Sequence, residues 1–140
     1  MSRTSDERGS VSVWLVTATF AMTTLVGLAV DLGGQVHAQQ RTHDIAAQAA
    51  RAGGQEVQAG PAVEGRYARI DAAAARQAAK AYLSAAGVGG SVSIRDGNRI
   101  VVRANDTYNT KFLGIIGLTK LKVHGEATAH LVRSLGGVPR

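Results

Sequence analysis

The stretch Val11–Val30 reads VSVWLVTATFAMTTLVGLAV, and no charged residue follows Ser10 until Asp31. A helix rising about 1.5 Å per residue covers a hydrocarbon core of roughly 30 Å in that length. Ser12, Thr17, Thr19, Thr23 and Thr24 are polar, but hydroxyls on a helix can return to carbonyls of the preceding turn, which makes them tolerable in lipid. Their density, together with Ala and Gly, also suits close contact with other membrane helices. The expectation is a membrane anchor over 11–30, preceded by a cytoplasmic N-terminus (1–10) and followed by an extracytoplasmic remainder. A buried helix of a soluble domain is disfavoured, because so short a chain could hardly cover all its sides.

The competing reading is a secretory signal peptide. Val36-His37-Ala38 fits the small-x-small pattern of signal peptidase, and cleavage after Ala38 would release a soluble, basic, cell-surface binding protein. Against it, the apolar run exceeds the usual h-region of about 7–15 residues, and the strongly basic start is missing. Charge says little about orientation, since Arg3 and Arg8 are offset by Asp6 and Glu7. Long segments translocate largely regardless of charge.

Beyond Asp31 the sequence stays helical in character through Arg51, so anchor and stalk (31–58) form one rod. An apolar stripe of Val36, Ile45, Ala46, Ala49 and Ala50 faces something thin. Gly53-Gly54 should loosen the helix, and Gly60-Pro61 should end it within a loop from Ala59 to Gly65. Within the small α+β domain (59–140), Asp71 is placed to cap a second, Ala-rich helix and Gly87 to close it in left-handed conformation. Its expected apolar face is Ala74, Ala78, Ala81, Tyr82 and Ala85. A hairpin follows, Ser91–Arg95 and Arg99–Arg103 around the turn Asp96-Gly97-Asn98. A third strand, about Thr119 to Val132, puts Leu121, Val123, Ala127, Ala129 and Leu131 on a dry face. Lys122, His124, Glu126, Thr128 and His130 occupy the wet face. The fold class is therefore α+β, with the second helix packed on a three-stranded antiparallel sheet.

Between the last two strands, residues 105–118 read as a connection. Phe112, Leu113, Ile115 and Ile116 need burial there, expected in the domain's own core, with a partner or the bilayer surface as the alternative. Asp31 stands where the helix leaves lipid; it marks that boundary or pairs with a neighbouring subunit's cation.

The chain has 140 residues, no cysteine, two Phe, three Tyr and one Trp, so disulfides and thiolate chemistry are excluded and any core is built from thin side chains. The net charge of +6 is spread diffusely beyond Val30, which argues against a nucleic-acid partner. His37 and His43 stand about 120° apart around a helix, and His124 and His130 roughly 20 Å apart along a strand, so neither pair clamps a metal. Gly87-Val88-Gly89-Gly90 lacks the lysine and following helix of a phosphate loop. No catalytic constellation, cofactor site or small-molecule site is expected.

Arg8-Gly9-Ser10-Val11-Ser12-Val13 leading into the apolar run, then Gly27-Leu28-Ala29-Val30-Asp31-Leu32-Gly33, resembles the N-terminal region of TadE/TadG-like pilus-assembly proteins. Gln39, Gln40, Asp44 and Ala46-Ala47 echo the helix that follows in that family. Phe112–Leu118, with Val123, Ala127 and Ala129 after it, resembles its closing strand. The resemblance implies a pilin-like, membrane-anchored structural component of tight-adherence (Flp) pili, with other pilus or secretion-apparatus subunits as partners. It also implies processing between Gly9 and Ser10 in pilin-like members, which carry Glu at the fifth mature position. Trp14 stands there instead, so the resemblance leans to the TadG-like branch. The Ala, Arg and Gly bias suggests an actinobacterial source.

Overall fold

The computed structural model describes residues 7–58 and 67–130, which form two α-helices, three strands and one short 3-10 helix. Helix α1 (Glu7–Gln58) runs 52 residues without a break, about 78 Å of rod. Helix α2 (Tyr67–Ala85) precedes β1 (Gly89–Arg95), β2 (Arg99–Asn109) and β3 (Lys120–His130). The strands form one antiparallel sheet in the order β1-β2-β3. The α+β expectation holds.

Local chemistry accounts for the turns. Asp96 and Gly97 both take positive φ, 53° and 68°, the type I′ signature of a tight hairpin. Gly87 closes α2 at φ 72°. Around it the Val88 N–H donates to the Leu83 carbonyl and the Gly87 N–H to that of Ser84, which is a Schellman cap.

The core is as thin as the composition requires. Ile45, Ala46, Ala49 and Ala50 of α1, Ala75, Ala79 and Leu83 of α2, and Ile100, Val102 and Ala104 of β2 are buried together with Val88. With so many alanines, backbones approach closely, and glycines mark the nearest crossings. A Cβ at Gly53 would meet Ile100 Cδ1 at 2.5 Å and the Ala75 carbonyl oxygen at 2.7 Å. One at Gly125 would meet the backbone of Thr42 and His43 at 2.5 Å. Gly34 lies against the Tyr108 ring in the same way.

These contacts set the sheet's direction along the rod. From Gly34 to Gly53 the helix climbs about 28 Å. From Tyr108 back to Ile100 the strand covers about 26 Å. Strand β2 therefore runs antiparallel beside α1, and the β2–β3 connection lies at the end nearest the apolar segment.

Several expectations are corrected. Gly53-Gly54 does not loosen α1; the helix continues to Gln58, and Gly53 is the seat of α2. Helix α2 begins at Tyr67, so Asp71 lies inside it rather than at its cap. Its buried face is Ala75, Ala79 and Leu83, while Ala81 and Ala85 are exposed. Alanines specify a helix face weakly, and bulky Leu83 decides it. That face lies against α1 as well as the sheet. Val36 is exposed rather than part of the buried stripe. Strand β2 extends through Asn109, because Asn105–Asn109 pair with β3 despite their turn-like composition. The alternation of β3 stands, with Val123 and Gly125 buried and the even-numbered residues exposed. The loop around Gly60-Pro61 and the end of the third strand at Leu131 and Val132 lie outside the described residues.

The adjacent glycines of α1 should respond oppositely to a methyl group. A Cβ at Gly54 meets nothing within 4 Å. Gly54→Ala is expected to stabilise the domain by roughly 0.5–1 kcal/mol, and Gly53→Ala to destabilise it by about 1–3 kcal/mol. Urea unfolding followed by circular dichroism in detergent measures both.

Candidate functional site: the junction of apolar helix and domain

The first part of α1 carries its apolar side chains outward on every side. Trp14, Phe20 and Met22 are each more than 70% exposed, and Val11, Val13, Leu15, Val16, Leu25 and Val26 are exposed as well. Such a surface is unfavourable in water and natural in lipid. Among the described residues α1 is the one helix long and apolar enough to cross a membrane. Its hydroxyls behave as the sequence requires. Thr17, Thr19, Thr23 and Thr24 each donate to the carbonyl four residues earlier, at 2.8–2.9 Å.

At the end of this segment stands Asp31, fully buried. Its Oδ1 accepts from the Lys111 N–H at 2.7 Å, and its Oδ2 from the Phe112 and Leu113 N–H groups at 2.8 and 2.7 Å. The Tyr108 hydroxyl approaches Oδ1 at 3.4 Å. Burial by itself would push this carboxyl's pKa up, but the backbone donors Lys111, Leu113 and Phe112, with the Tyr108 hydroxyl, outweigh it. The net shift is downward, so Asp31 stays ionised. Burial and the neighbouring carboxylate hold the Tyr108 phenol above its usual range.

The sequence singled out Asp31 as the boundary of the apolar run or as a partner for a neighbouring subunit's cation. Both oxygens are engaged by this chain's own backbone, eighty residues on. The signal it lacked was a donor: three consecutive N–H groups carry no side-chain mark.

Those N–H groups open a 3-10 helix, Leu113–Ile116. The Leu118 N–H donates to the Leu113 carbonyl and the Gly117 N–H to that of Gly114, with Gly117 at φ 91°. At the base the Thr110 N–H donates to the Thr119 carbonyl, and the Thr110 hydroxyl to that of Leu118 at 2.5 Å. The connection is thus a hydrogen-bonded platform rather than an irregular loop.

Its apolar side chains are not in the domain's core, contrary to expectation. Ile115 is 84% and Ile116 71% exposed, Phe112 and Leu118 are also exposed, and Leu113 is half-buried. Once both ends of the short helix are capped, the core beyond Tyr108 is too thin to receive them. Phe112 instead lies on α1, where a Cβ at Gly27 would sit 2.9 Å from Phe112 Cβ.

Elsewhere, His43 and His124 share a shallow depression with Val36, Gln39, Gln40 and Asp44. His124 Nδ1 is 2.9 Å from Asn105 Oδ1. Among the described residues no group of three His, Cys, Asp or Glu could hold a metal ion. Arg103 and Glu126 form an exposed cross-strand pair at 2.7 Å, a geometry of little energetic weight.

Removing the Asp31 carboxylate should free the platform. In Asp31→Ala, hydrogen-exchange protection of the Lys111–Leu113 amides is expected to fall by roughly tenfold or more, while β2 amides near Ile100 keep theirs. A depressed folded pKa contributes stability that is present above the unfolded value and lost as pH falls through the folded one. Protection at these amides should therefore persist at pH ~5 and be lost only below the ordinary carboxylate range.

Residues 9–56 match the model of the Tad family, TadE/G-like Flp pilus-assembly proteins, which does not distinguish a TadG-like subtype. No curated protein and no solved structure matches the chain. The matched stretch comprises the apolar segment, Asp31 and the part of α1 that floors the domain, so over that length the chain is similar to a pilus-assembly component.

Proposed function

We propose that the protein is a structural, non-catalytic component of a tight-adherence (Flp) pilus or a related secretion apparatus. It is held by Val11–Val30 as a single membrane pass, with residues 31–140 outside the cytoplasm. The observation that carries this reading is the unbroken helix α1, matched by the family over 9–56, which is both anchor and floor of the folded domain. The small and hydroxyl residues of the span supply a surface for lateral contact with other membrane helices of the apparatus.

The uninterrupted rod also weighs against release by signal peptidase. Cleavage after Ala38 would remove Asp31, which holds Lys111–Leu113, and Gly34, on which Tyr108 rests. Ala38 itself sits in mid-helix, its carbonyl accepting from the buried Thr42 hydroxyl at 2.8 Å. Processing at Gly9 would leave Asp31 and Gly34 in the chain, but Trp14 departs from the acid that pilin-like members carry. The TadG-like reading, with the N-terminus retained, follows from that departure.

Fractionation is expected to recover the protein in the membrane, and recovery in the cytosol would overturn the proposal. N-terminal sequencing of the mature protein should find residues before Gly9 still present. A start at Ser10 would show pilin-like processing, and a start at Gln39 would replace the anchor with a secreted protein. Protease added outside intact cells should remove the domain and spare the span.

A further inference from the structure

We infer that the platform formed by residues 111–118 is a second membrane contact, seated in the interfacial layer of the bilayer that α1 crosses, with Ile115 and Ile116 in the lipid. The inference rests on the membrane reading of α1 and extends it to a part of the domain distant in sequence.

Depth is the first argument. Phe112 packs on Gly27, which lies about 4–5 Å before Val30 along the helix axis. If 11–30 spans the hydrocarbon, the platform is level with the last turn inside it. Water is not the surrounding at that height. The side chains agree, since among the described residues of the domain Ile115 and Ile116 are the most exposed large apolar ones.

Rigidity is the second argument. Asp31 takes up the N–H groups of Lys111, Phe112 and Leu113, and the Gly114 and Leu113 carbonyls accept from Gly117 and Leu118. Backbone polar groups satisfied internally are what insertion requires. Much of the platform's backbone is therefore already hydrogen-bonded where the two isoleucines are presented.

Charge is the third. From Thr107 to Lys122 the sequence holds Lys111, Lys120 and Lys122 and no acid. All three lysines are exposed, and Lys120 pairs with Asn109 at the same end of the sheet as the platform. Cations flanking an apolar tip suit an anionic headgroup layer. Two contacts, helix and platform, would fix the domain's tilt on the membrane rather than leave it free to swing on a single rod.

The absence of cysteine makes the test direct, because one introduced thiol is the only thiol. Full-length Ile115→Cys, Asp96→Cys and Val16→Cys variants are each labelled with a nitroxide. They are reconstituted in phosphatidylcholine vesicles containing phosphatidylglycerol. Power saturation then compares collision with oxygen, which partitions into lipid, and with a water-soluble nickel chelate. Labels at Val16 and at Ile115 should favour oxygen severalfold over nickel, and the label at Asp96, on the far hairpin, should show the reverse. A lipid-like Val16 with an aqueous Ile115 overturns the inference and leaves the anchor standing. An aqueous Val16 overturns the anchor and the inference together. An Ile115 label shielded from both reagents would mean contact with a second copy of the chain and would also overturn it. Ile116→Cys repeats the measurement at the neighbouring tip, so that disturbance by one label is not mistaken for depth.

Discussion

The Asp31 carboxylate, held by the backbone N–H groups of Lys111, Phe112 and Leu113, joins the end of the sheet to the end of the apolar segment. The placement of the 111–118 platform on α1 depends on that tie. The core is thin, and at this end of the sheet a charged acceptor with three directional donors fixes both position and angle. An ionised group is rarely buried without such partners, and here the donors outweigh the desolvation that opposes it.

Small residues do the rest of the positioning. Gly27 receives Phe112, Gly34 receives Tyr108, Gly53 receives α2 and Ile100, and Gly125 lets β3 approach the backbone of Thr42. Each lies where two elements come closest, and together they lay β2 along α1 with matching lengths of helix and strand. The rod is therefore not a stalk on which a finished domain is mounted. Ile45, Ala46, Ala49 and Ala50 of α1 belong to the same buried cluster as Ile100, Val102 and Ala104. A membrane segment continuous with a core helix transmits position directly, because bending would require breaking helix hydrogen bonds or the core itself. Such coupling suits an assembly whose subunits are held at a set height above a membrane.

Much of the fold was legible from local chemistry. The charge-free run Val11–Val30, the Asp96-Gly97 turn, the Gly87 cap and the alternation of β3 all express preferences that act within a few residues. The errors share a cause as well. Asn105–Asn109 look like turn residues, yet pairing with β3 keeps them extended. Gly53-Gly54 look like a break, yet the contact of Gly53 with Ala75 and Ile100 makes them part of a packed helix. The face of α2 was misplaced because alanines on all sides leave the choice to Leu83 and to what lies opposite.

By itself, then, the sequence determined an apolar helix of spanning length, a second helix, an antiparallel sheet with one dry face, and Asp31 as the residue that ends the apolar run. Side-chain polarity and turn propensity are encoded residue by residue, and those features need nothing more. Only the tertiary structure decided what Asp31 binds, that Phe112–Leu118 stands beside the apolar segment instead of in the core, and that α1 is the domain's own floor. Backbone donors and glycine contacts leave no local signature. They acquire meaning when residues some eighty positions apart are brought into register.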